Sequence, residues 1–145
     1  SRATQNLEMI MEYVVKTRSK RTRHFIEHIM PSMIKQLGLT NSRKVVLIEV
    51  TKKFNGEGNE GSTMPLPGLD CYIVTIKPGR WQDMGVTLAH EMVHVRQLAK
   101  GILRAEGGVK FWKGKRYSKR TKYLNMPWEL DALSKQDIIF RRAID

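Results

Sequence analysis

The strongest constraint on this chain is a helical stretch that carries two histidines and a glutamate in apolar surroundings. From Thr87 to Gln97 it reads Thr-Leu-Ala-His-Glu-Met-Val-His-Val-Arg-Gln. Residues four apart on a helix stand one above the other, so His90 and His94 can direct two imidazoles at one point. Met84, Leu88, Ala89, Met92, Val93, Val95, Leu98 and Ala99 make this helix apolar nearly all round, which predicts a central position. Polar rings in such surroundings need a partner, and a tetrahedral zinc takes imidazole nitrogens at this spacing. Glu91, one step on from His90, can face a water on that metal as general base, so the spacing points to metal-assisted hydrolysis. With 4 His and nine Glu in 145 residues, random placement gives roughly 0.007 copies of His-Glu-x-x-His per chain. Chance is a poor explanation.

A chain of 145 residues is expected to form one domain with its own hydrophobic core. No apolar run approaches the roughly 20 residues needed to cross a bilayer, and no secretory signal pattern opens the sequence. These features, with a single cysteine, predict an intracellular, cytoplasmic protein without membrane contact. Cys71 alone excludes an internal disulfide framework and a cysteine-based zinc ribbon. In mid-strand it reads as a small buried hydrophobe.

The pattern predicts an α+β domain, with a small sheet containing antiparallel strands packed on the motif helix, N-terminal helices and a C-terminal helix. Leu7, Ile10, Met11, Val14 and Val15 recur at helical spacing and predict a helix over 4–17. A second runs through Phe25, Ile29, Met33 and Leu37 to Gly38, kinked or split by Pro31. His24 and His28 read as surface or capping residues, since no acid accompanies them as Glu91 accompanies His90. Strands are expected at 44–51 and 69–76, with a long loop over 55–68 between them. The motif helix is expected to begin near Asp83 as N-cap and to stop at Gly101. A hairpin is predicted around Gly114, and a last helix from Pro127.

A catalytic zinc site needs a third protein ligand. His24 and His28 lie far upstream, while Glu129 and Asp131 are acids near the start of the following helix. These residues carry a resemblance. His90-Glu91-x-x-His94 followed by Glu129-x-x-Ala132 resembles the gluzincin metallopeptidases, above all the compact minigluzincins. With Trp112-x-Gly114-x-x-Tyr117 and Pro127-Trp128-Glu129-Leu130-Asp131-Ala132 added, the chain is similar to small SprT-like proteins found largely in phages. The resemblance implies a zincin-like fold holding one zinc per chain on His90, His94 and Glu129. It implies hydrolysis of a protein or peptide substrate, with Glu91 as base and an edge strand, expected at 69–76, aligning the substrate. Many gluzincins have an Asp directly after the Ala, orienting a ligand histidine. Leu133 stands there in this sequence, which leaves Asp131 as the candidate support. The reaction also needs a second oxyanion donor, for which Tyr117, Tyr123 and Arg116 are candidates among which the sequence does not choose.

The net charge of +12 predicts an acidic partner, either nucleic acid or an acidic protein. One basic run holds Lys16, Arg18, Lys20, Arg21 and Arg23. A second holds Lys110, Lys113, Lys115, Arg116, Lys119, Arg120 and Lys122, interleaved with Phe111, Trp112, Tyr117 and Tyr123. Such runs suit phosphate contact and base stacking. SprT-like proteins include proteases acting on proteins crosslinked to DNA, which would suit a basic surface. The alternatives to a peptidase are a nucleic-acid-binding protein on the same scaffold without proteolytic activity, and a protein that uses zinc only to staple its helices.

Overall fold

The computed structural model describes residues 11–53 and 60–145. It is an α+β fold of three helices and two sheets. In chain order the elements are β1 (Glu12–Lys16), α1 (Lys20–Gln36), β2 (Val45–Val50), β3 (Gly61–Pro65), β4 (Cys71–Ile76), α2 (Trp81–Ala99), β5 (Leu103–Glu106), β6 (Val109–Trp112), β7 (Lys115–Tyr117) and α3 (Pro127–Ile144). The first sheet has the order β1-β2-β4-β3, with β1, β2 and β4 parallel and β3 antiparallel on the edge. The second is the three-stranded antiparallel meander β5-β6-β7. No helix among the described residues is long and apolar enough to cross a membrane.

The helix expected over 4–17 is corrected where it can be seen. Residues 1–10 lie outside the described residues, and Glu12–Lys16 is a strand in register with β2 from Glu12↔Val45 to Lys16↔Glu49. Tyr13-Val14-Val15 is aromatic and β-branched, which suits a pleated surface; Val15 is buried while Val14 is exposed. Only one helix, α1, therefore precedes the motif helix among the described residues. Pro31 does not split it. A proline withholds the N–H that would bond the carbonyl four residues back, here that of Glu27. The Tyr13 hydroxyl lies 3.5 Å from that carbonyl and donates towards it from β1.

Two further expectations change in the sheet. The segment 61–65, read as loop, is β3, and residues 55–59 of that loop lie outside the described residues. Because β3 takes the edge, β4 is an inner strand between β2 and β3 and has no free edge for a substrate. Its burial agrees, with Tyr72, Val74 and Ile76 in the core. The motif helix begins two residues before Asp83, and its N-cap Arg80 makes no side-chain cap bond. Asp83 sits in the first turn, where a negative charge is favoured by the exposed N–H groups.

Helix α2 is central. Leu88, Ala89, Met92, Val93 and Val95 are fully buried, facing α3, β3 and β4. Gly85 allows the closest approach, since a Cβ there would stand 2.0 Å from the Phe140 ring of α3. The meander turns tightly at Gly107-Gly108 and at Lys113-Gly114, each pair with positive φ (57° and 82°, 50° and 85°). Two-residue hairpins of this kind match the right-handed twist of the strands.

Candidate metal centre

The two motif histidines stand on one face of α2, and Glu129 reaches them from the first turn of α3. His90 Nε2 lies 2.9 Å and His94 Nε2 3.0 Å from Glu129 Oε1. All three donor atoms fall within 4.8 Å of one another. Pro127 opens α3, and Trp128 beside Glu129 is 2% exposed, which fixes the angle at which the carboxylate enters. Asp131, two residues on, does not join the group.

Hydrogen bonding on the far side of each ring decides what the group can hold. Gln97 is completely buried, and its Nε2 donates to the Trp128 carbonyl and to Asp131 Oδ2, both at 2.9 Å. Those two acceptors leave its Oε1 to accept from His94 Nδ1 at 2.8 Å. The proton of neutral His94 is therefore on Nδ1, and the Nε2 lone pair faces Glu129. His90 has a similar partner on its far side, with Nδ1 2.7 Å from Gln136 Oε1. With both rings protonated on Nδ1, two imidazole lone pairs and a carboxylate oxygen converge, an arrangement that a cation between them, metal ion or proton, would satisfy. His90, His94 and Glu129 form a group that could hold a metal ion.

Without a metal, protons fill the same need. Burial opposes charge on His90, but hydrogen bonds with Glu129 and Gln136 outweigh it and raise its pKa. Burial likewise disfavours charge on Glu129, yet the two histidines hold its pKa well below the usual carboxylate range. The two His–Glu129 separations, 2.9 and 3.0 Å, can be set against the edge of a small tetrahedral metal site. Ligands at about 2.0–2.1 Å in a tetrahedron stand about 3.3 Å apart, so a few tenths of an ångström of outward movement would admit the ion.

Comparison with known protein families, curated proteins and solved structures found no match.

Glu91 is buried and faces the same cleft, a cavity of about 640 Å³. Strand β3 forms one wall. Gly61 lies so near that a Cβ would meet Thr87 Cγ2 at 2.8 Å and Glu91 Oε2 at 3.0 Å. The Thr63 hydroxyl is 2.7 Å from Glu91 Oε1 and 3.1 Å from the Glu91 carbonyl. Burial raises the Glu91 pKa, and the Thr63 hydrogen bond and the two histidines work against that rise.

Of the three candidate oxyanion donors, only Tyr123 lines the cleft. Its hydroxyl donates to Glu129 Oε1 at 3.4 Å. Tyr117 packs edge-on against Trp128, with ring centroids 5.5 Å apart, and exposed Arg116 pairs with Phe111 across the meander. Asp131 supports the site at one remove, through Gln97, and also pairs with Lys135 at 2.6 Å.

Sequence reasoning missed Gln97, Gln136 and Thr63. The two glutamines had a signal: Gln97 is three residues after His94 on an apolar helix, and Gln136 is two turns after Glu129. A Gln97→Leu variant is expected to lose 10- to 100-fold in metal affinity, a typical loss for a ligand's supporting partner. Competition with a chromogenic chelator measures it, and unchanged affinity would show that His94 does not depend on Gln97.

The basic runs are put to mixed use. Lys16 pairs with Glu49 at 3.5 Å, and the Arg23 guanidinium donates to the carbonyls of Val15 and Thr17, tying α1 to the end of β1. Arg18, Lys20 and Arg21 carry no such ties among the described residues. In the meander, Arg104 covers Phe111, Lys113 covers Trp112 and Lys115 covers Tyr117, at 4.8, 5.8 and 5.3 Å. Lys110 lines the cleft and lies 5.2 Å over Trp128. Lys119, Arg120 and Lys122 follow on the exposed segment before α3.

Proposed function

We propose that this protein is a zinc metallopeptidase of the minigluzincin or SprT-like kind, with zinc on His90, His94 and Glu129. The observation that carries the reading is the fixed tautomer of His94, which turns a nitrogen lone pair on the carboxylate of Glu129 while Glu91 opens on the same cleft. A zinc ion bound there supplies a Lewis acid for the scissile carbonyl and lowers the pKa of water. Glu91 takes a proton from the attacking water at its carboxylate and returns it to the leaving amine. Its raised pKa suits both duties, because a base is most effective near the working pH. Tyr123, whose pKa is raised by burial and by Glu129 and Glu91, keeps its proton and donates to the developing oxyanion.

The substrate is an extended peptide added to the outer edge of β3, which pairs with no strand among the described residues. That edge borders the cleft beside Glu91, so main-chain hydrogen bonds would carry the scissile bond past the base. Pro65 offers no N–H and limits the pairing at one end. The basic surface suits protein substrates carried on nucleic acid.

The test is hydrolysis of an unfolded protein or quenched-fluorescent peptide library by protein loaded with one equivalent of zinc. Cleavage should vanish with chelator and return with zinc; none from loaded, folded protein would sink the reading. Within it, Thr63→Ala has a signed effect on pH. The hydroxyl stabilises the charged form of Glu91, so its loss raises the Glu91 pKa. The acid limb of kcat/KM should move to higher pH, with activity lost first below neutrality. A limb that stays put would remove Thr63 from the control of the base.

A further inference from the structure

A second cleft, of about 590 Å³, lies apart from the metal group and shares no residue with the first. It is lined by Lys20, Arg21, His24, Phe25 and His28 of α1 and by Trp81, the first residue of α2. Trp81 is nine residues before His90, which at 1.5 Å per residue places it about 13 Å along the helix.

Three observations set this cleft apart from an ordinary solvated face. Trp81 is 45% exposed although its ring rests on Phe25, with centroids 4.8 Å apart, and Phe25 in turn meets Phe140 at 6.3 Å. Phe25 thus meets the indole at a tilt of 46° and anchors it towards the core, while much of Trp81 stays open to solvent. Unlike the meander aromatics, it has no cation over its ring among the described residues. Lastly, Lys20 and Arg21 occupy the first turn of α1, which holds no acid. Cations oppose the exposed N–H groups at that end of a helix, and neither residue forms an ion pair among the described residues. Helix stability does not account for them. Among the described residues, no carboxylate lines the cleft.

We infer that this cleft binds single-stranded nucleic acid, with an unpaired base stacked on Trp81 and adjacent phosphates at Lys20 and Arg21. Base stacking on an exposed aromatic is tolerant of sequence and needs a base outside a duplex. The cations supply the salt-dependent part of the affinity, and His24 and His28 extend the polar rim along α1. The inference does not rest on the peptidase reading, because neither residues nor chemistry are shared.

The experiment measures anisotropy of a labelled twelve-nucleotide oligo(dT) against the full chain, at two or more salt concentrations. Native protein should bind it more tightly than a duplex of equal length. Trp81→Ala should weaken single-strand binding roughly tenfold or more and leave weak duplex binding unchanged. Lys20→Glu with Arg21→Glu should lower the salt slope by about two, since each cation neutralises one phosphate in the native protein. Trp81→Leu keeps an apolar side chain on Phe25 without the aromatic face, and an equal loss in that variant, with unchanged melting, separates stacking from folding. The inference is overturned if oligo(dT) does not bind, if the Trp81 variants bind as native, or if duplex binds equally well. Full competition by mononucleotide at the oligonucleotide's own affinity would assign a free nucleotide instead. A dimer dissociated by Trp81→Ala, with no oligonucleotide bound, would make the cleft an interface between copies.

Discussion

Replacing Glu129 by alanine is expected to reduce bound zinc from about one per chain to below about 0.1, measured by elemental mass spectrometry after exhaustive dialysis. Two imidazoles alone are half of a tetrahedral shell. The carboxylate is also the only anion in the group, so its loss removes both a ligand and the charge that balances the ion. Asp131→Ala is the informative control. Asp131 accepts from Gln97 at 2.9 Å but contacts neither histidine. Removing it leaves the Gln97 bonds to His94 and to the Trp128 carbonyl in place. Zinc should therefore remain near one per chain, with affinity lowered by tenfold or less against the range usual for supporting partners. Zinc retained by Glu129→Ala and lost by Asp131→Ala would mean that the third ligand is Asp131. In metal-free protein Glu129→Ala should also lower the His90 pKa, because hydrogen bonding to Glu129 is among the influences that raise it. Titration of the His90 ring signals checks that sign independently of metal content.

The motif helix was legible because two signals coincide there: apolar residues on every face and a ligand spacing that matches the helical repeat. Strand β1 was not. Met11, Val14 and Val15 fit helical spacing when Leu7 and Ile10 are counted with them, and only pairing with β2, some thirty residues on, makes the segment extended. Long-range pairing overrides local pattern in this way because β-propensity measures fit to a neighbour more than any backbone preference. Strand β3 was hidden for a different reason. Gly61-Ser62-Thr63-Met64-Pro65 begins with a glycine and ends with a proline, both ordinary loop residues. In place, the glycine is what lets the strand lie against Thr87 and Glu91. The same oversight concealed Thr63 and moved the expected edge inward to β4. Of the two acids that the spacing leaves open, Glu129 lies beside both histidines and Asp131 lies on the far side of Gln97.

Replacing Glu91 by glutamine should leave fold and metal intact while removing most of the proposed hydrolysis, by about 10²- to 10⁴-fold, the usual contribution of a general base. The change is nearly isosteric, which matters where the strand approaches this closely. Glutamine keeps an oxygen that can accept from the Thr63 hydroxyl, now 2.7 Å from Glu91 Oε1. It does not have to fill the position of a ligand, because Glu91 is outside the group formed by His90, His94 and Glu129. Zinc content and melting temperature should therefore match the native protein. The amide cannot take a proton from water at neutral pH, so the loss should fall on kcat, with KM little changed. Alanine would be a poorer probe, since it also empties a buried site and leaves Thr63 without its carboxylate. Unchanged hydrolysis in the glutamine variant would mean that another group takes the proton, or that a contaminating protease does the cutting. A low-activity variant that has also lost zinc would instead show that Glu91 helps to hold the metal site together.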